Sequence, residues 1–188
     1  GGTLEPASIT KYTMPLVIPP AMPRTSGGQV EYYEIAVRQF QQQILPAPMP
    51  TTTVWSYGSV NHPSTFNYTA FTIEARYKRP VRVKWINDLK DANGDFLPHL
   101  LPVDPTLHWA NPPGGAPGRD TRPGFASTPG PYTGPVPIVT HLHGGHSAQE
   151  SDGYAEAWYL PAASNIPAGF ATEGTWYESF KTEFSNKF

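Results

Sequence analysis

The sequence predicts an all-β fold with long loops, and three observations carry that expectation. The 188 residues include Trp 5, Tyr 10 and Phe 9, enough aromatic volume to support a core. Pro 23 and Gly 17 make up more than a fifth of the chain and punctuate it into short pieces. Between them lie runs in which apolar and polar residues alternate with a period of two, the spacing of a strand with one buried face. With few aromatics, the same Pro and Gly content would point to disorder instead. At this length one domain with ordered extensions is expected.

Residues 1–30 form an irregular arm, because Pro15, Pro19, Pro20 and Pro23 cannot donate to a ladder and Gly27-Gly28 marks a turn. The arm is expected to lie over the domain that occupies residues 31–188. From Glu31 to Leu45, Tyr33, Ile35 and Val37 fall on one face, with Glu34 and Arg38 on the other. No Pro or Gly interrupts this run, so a helix competes, but its Tyr, Ile and Val content favours a strand. A second strand is expected over Thr53–Tyr57. A third is expected over Ala70–Tyr77, where Phe71, Ile73, Ala75 and Tyr77 alternate with Thr72, Glu74 and Arg76. Lys78-Arg79-Pro80 then breaks the chain, and Val81, Val83 and Trp85 begin a fourth strand paired with the third like a hairpin.

Residues 87–135 carry little periodicity, and Asn111–Pro135 is about half Pro and Gly, a surface or functional loop. Val136–His143 returns to strand character, with Val139, His141 and His143 facing one way. Near the end, Trp176, Phe180 and Phe184 recur every fourth residue after Thr175, the pattern of a short helix capped by that threonine.

Charge excludes several functions. A formal net charge of −2 and 15 % charged residues leave no basic stripe for nucleic acid and no basic face for a membrane surface. No run reaches the roughly 18 apolar residues of a membrane helix. A soluble protein is expected. Gly1-Gly2-Thr3 is unlike a signal peptide, and with no initiator Met the compartment stays open, a secreted or extracytoplasmic setting being favoured. With Cys 0, the chain holds no disulfide, thiolate metal site or cysteine nucleophile. No phosphate loop, Ser-His-Asp set or paired carboxylates stand out.

The strongest local signal is His141-Leu142-His143-Gly144-Gly145. Residues i and i+2 of a strand project from one face about 6.5–7 Å apart, so two imidazoles can meet adjacent metal ions. The glycines let the backbone turn sharply and leave room for other ligands. Imidazole suits copper, zinc, iron or nickel, and ligand type alone does not choose among them. A cupin would need a carboxylate about four residues on, whereas the next acid is Glu150. Two histidines that merely end a strand at the surface remain an open alternative. His146 reads as a loop residue. His62, His99 and His108 lack paired spacing, and Trp55, Trp85 and Trp158 read as core aromatics.

The continuation from His141 to Trp158, HLHGGHSAQESDGYAEAW, closely resembles the first copper-ligand motif of bacterial laccase-like multicopper oxidases, the group of spore-coat laccases, bilirubin oxidases and phenoxazinone synthases. VRVKWINDL at 81–89 and FLPHLLPVDPTLHW at 96–109 are similar to the amino-terminal domain of that group, so the resemblance covers roughly residues 50–188. It implies an antiparallel Greek-key β-sandwich of the cupredoxin type. It also implies a role for His141 as a ligand of the type 2 copper and for His143 as a ligand of one type 3 copper in a trinuclear cluster. Of the family's four His-rich motifs, this chain shows the first.

The second pair is expected not far beyond Phe188. A type 1 blue site needs a Cys thiolate, so it is expected elsewhere. Asp152 matches an acidic residue that in the family helps deliver protons to the cluster, although as a residue before Gly153 it also reads as a turn former. Glu150 and Glu156 read as solvated. The implied activity couples one-electron oxidation of phenolic or aminophenolic donors to reduction of dioxygen to water. The remaining oxidase domains would be a partner, in a second polypeptide. A rival reading is a non-catalytic cupredoxin-like module that binds copper or serves structurally. Two imidazoles seldom hold a metal tightly alone, which counts against independent function.

Overall fold

A computed structural model describes residues 3–26, 28–102, 134–146, 158, 165–166, 173 and 176–185. The chain divides into two compact units, residues 1–89 and 90–188.

The first unit is built on one sheet. Strand β1 (Glu31–Gln42) lies between β2 (Thr52–Ser59) and β3 (Val81–Asn87), in the order β2-β1-β3. β1 and β2 run antiparallel, from Ile35 opposite Ser59 to Gln42 opposite Thr52. β1 and β3 run parallel, from Glu31 beside Val81 to Val37 beside Asn87. The sheet is therefore mixed, which corrects the purely antiparallel expectation.

The two faces follow from the alternation in β1. Tyr33 and Ile35 are buried on one face and join Met22 of the arm, with Tyr57, Phe71, Ile73, Val81, Val83 and Trp85 packed against them. The Tyr33 hydroxyl donates to the Glu74 carbonyl at 3.3 Å. The opposite face brings Ala36 beside Gly58, and the Phe66 ring presses on Gly58. A Cβ added at Gly58 would sit 2.5 Å from Phe66 Cγ. The Arg38 guanidinium lies 4.5 Å from the Phe66 centroid, while its Nε donates to Asp88 Oδ2 at 2.6 Å. Glu31 is buried yet paired, accepting from Arg24 Nη1 at 2.7 Å with Arg79 Nε at 3.9 Å, as a buried charge requires.

The arm is anchored at its inner end. Thr72 N–H donates to the Pro20 carbonyl at 2.9 Å, and Met22 N–H donates back to the Thr72 carbonyl at 2.8 Å. The expected third strand is corrected here: Ala70–Tyr77 makes only an isolated parallel bridge, Ala21 with Thr72. Phe71 and Ile73 keep the alternation because both pack on the core, whereas Tyr77 is exposed. Alternation thus marks one-sided packing without a ladder, and the expected hairpin gives way to the parallel β1–β3 pairing.

In the second unit, Lys90 and Phe96 form a bridge around a turn in which Asp91 Oδ1 accepts from the N–H groups of Asn93 and Asp95. Asn165 Nδ2 donates to the Phe96 carbonyl at 2.8 Å. Val136, Ile138 and Trp158 are buried. Helix α1 (Tyr177–Ser185) fulfils the expected carboxyl-terminal helix, with Lys181 paired to Glu178 at 2.9 Å; its expected cap, Thr175, and much of the 87–135 loop lie outside the described residues. No helix among the described residues is long and apolar enough to cross a membrane. The all-β, cupredoxin-like class with one short late helix holds.

Candidate metal centre

His141 and His143 follow the buried segment Val136–Ile138. The expected strand over Val136–His143 is corrected: among the described residues it shows a single bridge position, at Ile138. Pro135 and Pro137 supply no N–H donors, which limits any ladder through this segment. Gly134–Val136 and Ile138 are buried, Val139 and Thr140 are half-buried, and residues 141–146 are all exposed.

The two imidazoles lie side by side at that exposed end, 5.7 Å between ring centroids and inclined at 61°. Leu142 between them is also exposed. The chain turns directly after His143 through Gly144 at φ +96° and Gly145 at φ +101°. Side chains rarely adopt that region, so backbone conformation is what calls for glycine at both positions. A Cβ at either would have no heavy atom within 4 Å, so space does not.

This donor chemistry fits a metal that accepts neutral imidazole nitrogen. Among the described residues, no group of three or more His, Cys, Asp or Glu side chains could hold an ion, so these two form at most a partial ligand set. His146 is exposed beside the glycine turn. Asp152, His108, Glu150 and Glu156 lie outside the described residues.

The histidines outside the motif fall into other roles. His62 precedes a 3₁₀ turn (Pro63–Thr65), and its Nδ1 lies 3.1 Å from Ser59 Oγ in a structural hydrogen bond. Burial pushes the His99 imidazole below its usual pKa. Trp158 and Trp85 are core aromatics as expected, whereas Trp55 stays partly exposed and donates its indole N–H to Gln39 Oε1 at 2.9 Å. The glycine dihedrals could be anticipated from adjacent glycines after a strand-like run; the early end of burial could not.

No protein-family model matches the chain. Curated relatives do. Over 166 residues the chain is 34 % identical to a laccase of Haloferax volcanii, covering 85 % of this chain and 24 % of that protein. Over 181 residues it is 31 % identical to a laccase of Bacillus stratosphericus, covering 95 % of this chain and 28 % of that protein. The multicopper oxidase LPR1 homolog 3 of Oryza sativa subsp. japonica is 37 % identical over 125 residues, 66 % of this chain and 17 % of the relative. The chain spans about a quarter of the length of the laccases it matches. With an all-β fold and a sequence similar to laccases over most of its length, the chain belongs to the laccase-like multicopper oxidases.

Proposed function

We propose that this chain is the amino-terminal part of a multicopper oxidase, with residues 31–188 as its first cupredoxin-like domain and residues 1–30 as an arm. The complete enzyme would couple one-electron oxidation of phenolic or aminophenolic donors to four-electron reduction of dioxygen to water. The observation that carries this reading is the exposed His141–His143 pair, 5.7 Å between centroids, in a chain similar to laccases.

In this reading His141 would be a ligand of the type 2 copper and His143 of one type 3 copper. Bound copper would supply the redox chemistry, accepting electrons from the donor and delivering them to dioxygen. His141 and His143 would present their imidazole nitrogens to it, and Gly144 and Gly145 carry the backbone away from them. Asp152 would hold and release protons near the site, because reduction of dioxygen to water consumes them. The remaining ligands and the thiolate of a type 1 site would come from further oxidase domains, as the relatives' greater length supports.

Expression of residues 1–188 alone tests the division of labour. Little bound copper and no phenol oxidation are expected, since most of the ligation free energy would come from outside the chain. A stable monomer with stoichiometric copper and no turnover would favour a copper-binding module, and one that oxidises phenols would refute the divided ligand set.

A further inference from the structure

Charge is unevenly placed along the chain. Arg76, Lys78, Arg79, Arg82 and Lys84 put five of the 13 Lys and Arg residues into nine positions that hold no acid. With those five set aside, 8 cations remain against 15 acids, a net charge of −7 for the rest of the chain. Two of the five are matched within the sheet: Arg79 Nε lies 3.9 Å from Glu31 Oε1, and Lys84 Nζ 3.7 Å from Glu34 Oε1. Arg76, Lys78 and Arg82 are exposed and have no ion-pair partner among the described residues.

The backbone displays these cations. Arg79 N–H donates to the Arg76 carbonyl at 3.0 Å and closes a tight turn, with Tyr77 and Lys78 at its tip. Tyr77 is 91 % exposed. Lys78 has φ +61°, the left-handed region that disfavours a side chain. Glycine would close the same turn without strain, so the lysine is held there against its backbone preference, as happens where a side chain serves contact. Arg82 follows on β3 beside Tyr32 of β1. Its neighbours Val81 and Val83 pack on the core, which leaves Arg82 on the other sheet face.

The chemistry of the patch selects its occupant. Arginine and tyrosine are the residues that protein interfaces concentrate, and a guanidinium fork matches a carboxylate with two parallel hydrogen bonds. With Val81 and Val83 packed on the core, no aliphatic side chain is left at the turn to enter a lipid surface. The net −7 of the rest of the chain repels a dense polyanion such as nucleic acid. A short acidic segment meets the turn alone.

We propose that the surface from Arg76 to Arg82 docks an acidic peptide segment of a partner protein, with its carboxylates on Arg76, Lys78 and Arg82 and its chain against the Tyr77 ring. The turn lies in the first unit and contains none of the proposed copper ligands, so docking and oxidation are separable.

Binding of the complete oxidase to immobilised poly-L-glutamate tests the surface. Replacing Arg76, Lys78 and Arg82 together by Gln is expected to weaken binding by about tenfold or more, with phenol oxidation and the urea midpoint unchanged. Replacing Lys11, Lys90 and Lys181 by Gln removes the same charge elsewhere and is expected to weaken it by less than about twofold. Lys78→Gly is expected to raise the urea midpoint, by relieving the left-handed backbone, and yet to weaken binding. No binding by the parent oxidase would overturn the proposal, as would equal losses in the two triple variants or full binding by a stabilised Lys78→Gly. Tighter binding to phosphatidylserine vesicles or to a thymidine oligonucleotide than to poly-L-glutamate would overturn it in favour of those partners.

Discussion

His141 and His143 place their rings 5.7 Å apart, centroid to centroid, at the exposed end of a segment whose last fully buried residue is Ile138. Between them is Leu142, and directly after them are two glycines with left-handed backbone. The pair is thus held where a second set of ligands can approach, and the predictions follow from how it is held and how the first unit is packed.

At Gly144, conformation and not volume is limiting, since φ is +96° and a Cβ would meet nothing within 4 Å. Gly144→Ala is expected to weaken copper retention in the complete oxidase by up to about tenfold, given a cost of roughly 1–2 kcal/mol for left-handed backbone. Gly144→Asn should retain more copper than Gly144→Ala, because Asn visits that region more readily despite its larger side chain. Copper content after dialysis against a chelator separates the two. Retention that falls with side-chain volume would contradict the argument.

Gly58 presents the opposite case, where space is limiting. A Cβ there would sit 2.5 Å from Phe66 Cγ, and the ring is held between Arg38 and Phe40. Gly58→Ala is expected to destabilise the protein by about 1–3 kcal/mol through overpacking. Pairing it with Phe66→Leu should recover part of that loss, read as the midpoint of urea unfolding. Additive losses in the double variant would show that the ring is not the obstacle.

The proposed proton role of Asp152 predicts a defect in turnover without loss of metal. Asp152→Asn keeps the shape and some hydrogen bonding but cannot cycle a proton near neutral pH. Oxygen reduction is expected to slow by about 100-fold at unchanged copper content. Unchanged oxygen consumption across the pH range would leave Asp152 as a turn residue.

The strands that hold the first unit were legible where alternation and ladder coincide, as in β1 and β2. Ala70–Tyr77 shows where they part: Phe71 and Ile73 alternate because they pack on Met22 and the sheet, while the backbone makes only one bridge. The parallel β1–β3 pairing was not legible, since period two does not encode strand direction. For the candidate centre, the spacing of His141 and His143 anticipated neighbouring rings. Pro135 and Pro137 argue against a strand there, while Val136, Ile138 and Val139 favour one. Asp152 was legible only through family resemblance, because an Asp before Gly is equally a turn signature.

The central claim is that His141 holds type 2 copper in a cluster completed from outside this chain, and electron paramagnetic resonance of the complete oxidase carrying His141→Ala tests it most directly. The type 2 signal is expected to disappear and oxygen reduction to fall by more than about 100-fold, since even residues behind metal ligands are worth 10–100-fold. The blue absorption of the type 1 site should persist. A full type 2 signal with normal turnover, or loss of the blue colour with turnover retained, would contradict the account.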